Sequence, residues 1–186
     1  MKIIFKAEVY QEPTNLDAPL TDLDIWPRIT GLAWIVINDD GRIVRGFQFK
    51  VKHTVGVTSF PPEIEAEAEA LGYPAKYVID RFLSDCDSVD TLITHGLKRN
   101  FGILAAEAIR YGSRAKSKIA NRICTKDGID ELYEGEERTL SALYHSLFGD
   151  FIDDELPVMS ELQVLVNISE ELIYRGILKP NAETVA

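Results

Sequence analysis

The sequence predicts an α/β domain in which a mixed five-stranded sheet, an antiparallel three-strand meander followed by parallel strands, is flanked by helices. Three observations lead there. Apolar residues alternate with period two near the start, Asn38-Asp39-Asp40-Gly41 supplies hairpin chemistry between two further strand-like runs, and beyond Pro74 helical spacing alternates with short buried runs.

Taken in order, Ile3, Phe5, Ala7 and Val9 alternate with other residues as a first strand would. A polar, Pro-bearing loop follows, Gln11 to Asp24. Leu32 to Ile37 is a nearly continuous apolar run, and after the hairpin Ile43, Arg45, Phe47, Phe49 and Val51 alternate with Val44, Gly46, Gln48 and Lys50. The acidic, alanine-rich stretch Glu63 to Ala70 reads as a solvated helix or loop edge. Val78, Ile79, Phe82 and Leu83 then give helical spacing from Pro74, and Thr91-Leu92-Ile93 a short buried strand. Phe101, Leu104, Ala105, Ala108 and Ile109 predict a helix that Gly112 stops. Ile119 to Thr125 supplies the fifth strand. Two helical faces close the chain, Leu140, Leu143, Tyr144 and Leu147, then Leu162, Leu165, Val166, Leu172 and Ile173 ending at Gly176. Residues 1–179 are expected to form one domain and 180–186 a flexible tail.

Composition sets bounds on function. With 186 residues, 46% of them apolar, the chain can bury one sizeable core. No stretch approaches the ~20 apolar residues of a membrane span, and Met1 to Tyr10 lacks the pattern of a signal peptide, so a soluble cytoplasmic protein is expected. Cys86 and Cys124 have no metal-ligand or CxxC spacing, which agrees with a reducing compartment. The net charge of −10 repels a phosphate backbone over most of the surface, so nucleic-acid affinity would need a local basic patch. Lys98 and Arg99, with Arg110, Arg114, Lys116, Lys118 and Arg122 nearby, are the basic concentration on offer. It reads either as a solvated helix face or as a strand-binding groove.

Several stretches in the right order carry a resemblance. They are Ala18 to Ile29 with Leu32-Ala33-Trp34, Thr94-His95-Gly96, Leu104-Ala105-Ala106-Glu107, Arg122-Ile123-Cys124-Thr125, Leu140 to Tyr144 with Leu147-Phe148-Gly149, and Glu171 to Gly176. Over nearly its whole length the chain resembles the DnaQ-like (DEDD) 3′-5′ exonucleases. The resemblance implies a ribonuclease H-like fold and two-metal hydrolysis of a phosphodiester, with carboxylates on the first strand, on a turn before a helix and on a late helix clamping two divalent ions.

Carried over one position at a time, that pattern is broken here. The family's first-strand Asp-x-Glu falls on Lys6-Ala7-Glu8, its second Asp on Asn100, its last Asp on Glu161 and its general-base histidine on Leu156. Glu8 and Glu161 are thus the remnant catalytic positions, and Lys6, Asn100 and Leu156 replace the others. Four negative charges become a net −1. A lysine ammonium ~4 Å from a divalent ion would cost about 8 kcal/mol at an effective dielectric near 20, twice the unit-charge value. Without the histidine a further ~10²–10⁴ in rate is lost. The expectation is no metal cofactor, with Glu8 and Glu161 the ligands if any metal binds, and magnesium or manganese required if residual activity exists.

Each position also has a structural reading. Lys6 can pair with Glu8 or Glu161 and so supply covalently the positive charge that metals bring in the family. Asn100 can simply bond within a turn. His95 reads as turn packing, His53 and His145 as surface or edge residues, the Trp26-Pro27-Arg28 segment as fixing the long loop against the sheet, and Trp26 and Trp34 as packing residues. After Phe60-Pro61-Pro62 the family's His-Gly-Ile-Thr-like segment, which borders the substrate cleft, is missing. Three functions stay open. The first is a degenerate exonuclease-like binding or regulatory module whose partner, unknown from sequence, is single-stranded nucleic acid or a protein. The second is a weak metal-dependent 3′-5′ exonuclease on single-stranded DNA or RNA, helped by Asp153, Asp154 or Glu155. The third is a structural, self-associating module. No membrane partner is expected.

Overall fold

The computed structural model describes residues 1–53, 60–114, 119–126, 132, 139–153 and 155–178. In chain order the elements are β1 (Lys2–Val9), β2 (Ile29–Ile37), β3 (Ile43–Lys52), α1 (Pro62–Leu71), β4 (Tyr73–Pro74), α2 (Ala75–Cys86), β5 (Thr91–Thr94), α3 (Leu97–Tyr111), β6 (Asn121–Cys124), α4 (Leu140–Phe148) and α5 (Val158–Tyr174). The sheet order is β4-β3-β2-β1-β5-β6. β1, β2 and β3 are antiparallel to their neighbours in the meander, while β1–β5 and β5–β6 are parallel. The meander is closed by Asn38, whose Oδ1 accepts from the backbone N–H of Asp40 and Arg42, with Gly41 at φ 74° where a side chain would strain the turn.

The described residues give six strands where five are expected. The addition is β4, two residues that run parallel to Val51 and Lys52 at the sheet edge. A two-residue strand containing a proline is too short for any period-two signal. Its neighbour Glu63 to Ala70 falls in a helix, α1, that buries none of its residues. That helix lies along β3 through ion pairs, Lys50 to Glu67 at 3.5 Å and Lys52 to Glu69. The expected tail, together with Lys116, Lys118 and Asp154, lies outside the described residues.

The alternation along β1 sorts its side chains onto two faces. Ile3, Phe5 and Ala7 join Leu32, Trp34, Ile79, Phe82 and Ile103 in one core under α2 and α3. Ile4 joins Ala33, Ile35, Ile37, Leu162 and Leu165 in the other, under α5. Lys6 and Glu8 share the parity of Ile4, so they continue the α5 face beyond the end of its apolar core. No described helix is long and apolar enough to cross a membrane. Neither Cys86 nor Cys124 is in a disulfide, and burial pushes the Cys86 thiol up to about 12.

The loop between β1 and β2 is held by buried charge as well as by Trp26. The Trp26 ring fills the space a side chain on Gly102 of α3 would need, since an added Cβ would lie 2.2 Å from the ring. The loop is therefore pinned to α3 as well as to the sheet. Beneath it Glu107, fully buried, accepts from Arg28 Nε and Arg110 Nη1, both at 2.7 Å. Arg110 in turn donates to the carbonyls of Leu23, Trp26 and Pro27.

His53 belongs to this network and is half-buried, contrary to the surface or edge position expected. Its Nε2 lies 2.6 Å from the Ile29 carbonyl and so carries the proton, leaving Nδ1 to accept from Arg28 and Tyr111. A second proton would face the Arg28 guanidinium. Burial lowers the His53 pKa below its ordinary 6.5; the Ile29 carbonyl and Glu107 oppose this, and Arg28 and Arg110 reinforce it. With a depressed folded value, the unfolded chain binds the extra proton first. This stability is present above pH 6.5 and is lost as pH falls from there through the folded value. Urea unfolding should therefore show the wild type losing more stability than His53→Gln between neutral and mildly acidic pH. Equal losses in the two proteins would contradict this.

Candidate functional site

β1 and β5 run together only as far as Ile4 and Ile93, and beyond that point they part. Side chains then take over the backbone of β1. Thr94 Oγ1 donates to the Phe5 carbonyl at 2.7 Å, Asn100 Oδ1 accepts from the Ala7 N–H at 3.1 Å, and Arg99 Nη1 donates to the Ala7 carbonyl at 3.1 Å. The two parallel strands thus part at their carboxyl ends, the place where open α/β sheets form a ligand crevice.

Asn100 is central to it. It is buried in the first turn of α3, inside the helix and not in the preceding turn, and its Nδ2 donates to the carbonyls of His95 and Gly96 at 2.8 and 3.3 Å. Gly96, at φ 79°, makes the reversal from strand to helix that brings these carbonyls to the amide. All three of these contacts suit an amide, which offers both a donor and an acceptor. His95 bonds Thr125 Oγ1 at 3.0 Å and joins the ends of β5 and β6, as turn packing requires.

The first-strand pair is divided between two partners. Lys6 Nζ donates to Glu161 Oε2, which stands in the first turn of α5. Glu8 turns the other way. In register it faces Gly31 of β2, and Gly31 faces Lys50 of β3. The missing side chain at Gly31 opens a passage, because an added Cβ there would sit 2.1 Å from Glu8 Oε2. Glu8 reaches through it towards Lys50 at 3.9 Å, and Lys50 also meets Glu67 of α1. Glu8 Oε2 is buried without a hydrogen-bond partner among the described residues. Leu156 is half-buried just ahead of α5. Asp153 is exposed and accepts from the Glu155 N–H in a loop turn.

The basic residues are mostly engaged. Arg99 forks onto Glu12, Nε to Oε2 at 2.5 Å and Nη2 to Oε1 at 2.6 Å, and Lys98 pairs with Asp17. Arg110 is in the buried network, and Arg122 stacks on Phe101 at 4.3 Å. Glu12 is a feature that the sequence left inside a polar loop. Its carboxyl is held below the usual range, first by the Arg99 hydrogen bonds against the cost of burial, and then by the Arg99 charge, Lys6 and Lys126. Lys126 stands just past β6, and an added Cβ on Gly96 would meet both Lys126 and Asn100 at 4.0 Å. No pattern in the sequence marks Glu12 or Lys126, since their meeting depends on how the loop folds back over the crevice. His145 is half-buried and stacked on Phe151 at 4.0 Å, with a sheltered Nδ1 that has no partner among the described residues.

Among the described residues no three His, Cys, Asp or Glu side chains converge closely enough to hold a metal ion. The Lys6 ammonium and the Asn100 amide stand among the side chains here, and this set does not fit a pair of divalent cations.

The architecture has solved counterparts. A zinc-bound complex of E. coli exonuclease I with single-stranded DNA aligns at TM-score 0.71 and 14% identity over 94% of this chain. The nuclease domain of 3′hExo, a DEDDh family member bound to rAMP, aligns at TM-score 0.70 and 14% identity, covering 98% of this chain and 96% of that one. The chain has the ribonuclease H-like fold of the DEDDh 3′-5′ exonucleases. It spans about 40% of the length of the exonuclease I chain. No family model matches the sequence, and no curated protein does.

Proposed function

We propose that the protein is a catalytically degenerate 3′-5′ exonuclease-like module, kept for binding or regulation, whose partner is single-stranded nucleic acid or a protein. The observation that carries this reading is the Lys6 ammonium paired with Glu161, a fixed cation among the positions where the fold's enzymes gather carboxylates. Glu8 and Glu161 are then remnants, and Asn100 a structural amide that splices β1 to α3. Similar folds bind strands, as in the exonuclease I complexes with single-stranded DNA and with a dT13 oligonucleotide. Cys86 and Cys124, neither of them in a disulfide, agree with a reducing cytoplasm.

One observation favours the competing reading of a weak metal-dependent nuclease: the sheltered Glu8 Oε2 has no hydrogen-bond partner among the described residues. A 3′-labelled single-stranded oligonucleotide, incubated with the protein in magnesium and in manganese, decides between them. The expected result is no degradation above that of a Glu8→Gln preparation. Shortening of the strand that disappears in Glu8→Gln would establish the nuclease.

A further inference from the structure

Fixed cations stand at the crevice beside its carboxylates, and that bears on what it can hold. Arg99 is bonded to Glu12 and Lys6 to Glu161, and Lys126 stands beside Gly96 at the start of α3; after the Arg99 hydrogen bonds, the charges of all three hold the Glu12 carboxyl below its usual range. Arg99 grips Glu12 with two parallel N–H···O bonds, the fork geometry that guanidinium uses equally for carboxylate and phosphate. The Glu12 side chain is 67% exposed and comes from a loop, so it can leave without disturbing the core. Arg99 is itself fixed from behind by the Ala7 carbonyl and Asn100 Oδ1 at 3.1 and 3.0 Å, and is therefore preorganised whether or not Glu12 is present. The described residues give Lys126 no ion-pair partner, and Lys6 spends one of its three donors on Glu161.

We propose that this crevice binds a phosphate of a single nucleic-acid strand directly on Arg99, Lys6 and Lys126, without a metal ion, and that Glu12 is the internal anion the phosphate displaces. The inference rests on the reading of the protein as a degenerate binding module and names its ligand. In a site built from carboxylates, metal ions must supply the positive charge that meets a phosphate. Here the side chains supply it themselves, which reconciles strand binding with an acidic surface by confining the attraction to one crevice.

The test is fluorescence anisotropy of a 5′-labelled oligothymidylate with the whole chain in EDTA, across a series of salt concentrations. Glu12→Gln keeps a hydrogen-bonding side chain but removes the competing charge, and is expected to tighten binding about tenfold. Lys126→Gln should weaken it and lower the slope of log affinity on log salt by about 0.7, the share of one phosphate contact on a single strand. Neither residue supports the core, so both variants should fold. Unchanged affinity in both would overturn the proposed site while leaving strand binding elsewhere intact. No binding by any of the three proteins would overturn the site and leave a protein as the module's partner. Binding that appears only with magnesium or manganese would overturn both this inference and the degenerate reading. Equal affinity for dTMP would overturn the strand as ligand and assign the crevice to a free nucleotide.

Discussion

Replacing Glu107 by glutamine is expected to cost about 3–5 kcal/mol of unfolding free energy, the range for breaking a buried ion pair from one side. Glu107 is wholly buried and is the carboxylate that meets both Arg28 and Arg110, whose side chains are 6% and 13% exposed. The neutral amide would take from two interior guanidinium groups the carboxylate charge that they share. Arg110 also carries the carbonyls of Leu23, Trp26 and Pro27, so the damage should spread to the loop that delivers Glu12 to the crevice. Two measurements check this. Urea unfolding should show the loss directly, and limited proteolysis should cut the loop between β1 and β2 faster in the variant than in the wild type. Arg28→Gln combined with Glu107→Gln should cost less than the two single changes added together, because each removes a charge that the other leaves stranded. A Glu107→Gln protein within about 1 kcal/mol of the wild type would show that the network holds no such charge dependence.

How far these features could be read from the sequence follows from the range of the forces behind them. Period-two alternation at Ile3, Phe5 and Ala7 and helical spacing at Leu162, Leu165 and Val166 are local, and both survive into the structure as the faces of β1 and α5. Lys6 could be assigned a carboxylate partner because the parity of β1 places it on the same face as Glu8, and the resemblance puts Glu161 nearby. Which of the two it chooses could not be read. That choice turns on Gly31, whose missing side chain lets Glu8 lean across β2 to Lys50, a contact between three strands that no local pattern encodes. β4 escaped notice because two residues leave no period. The pairing of Arg99 with Glu12 escaped for a different reason, since it joins positions 87 residues apart through a loop without regular structure. His53 looked like an edge residue because its partners, Arg28, Ile29 and Tyr111, are brought together by that same loop.

The Lys6 ammonium paired with Glu161 makes a second large effect predictable. In the wild type, magnesium or manganese should leave the melting temperature unchanged, because a divalent ion near Lys6 meets an ammonium with a repulsion of about 8 kcal/mol at an effective dielectric near 20. Lys6→Asp replaces that cation by a carboxylate facing Glu161, on the same sheet face as Glu8. Without metal the variant should be less stable than the wild type, having exchanged an ion pair for two like charges. With metal the order of effects reverses. An ion that binds only the folded variant contributes about 2.7 kcal/mol at a concentration one hundred times its dissociation constant. For a chain of this size that corresponds to a rise of roughly 5–10 °C, well above the reading error of a thermal scan. A wild type that shifts as much as the variant would mean that Lys6 moves aside for the ion, and the fixed-cation reading of the crevice would fall. A variant that does not respond would mean that Glu8, committed to the passage at Gly31, cannot return to the side of Glu161, and that the two remnants no longer form one site.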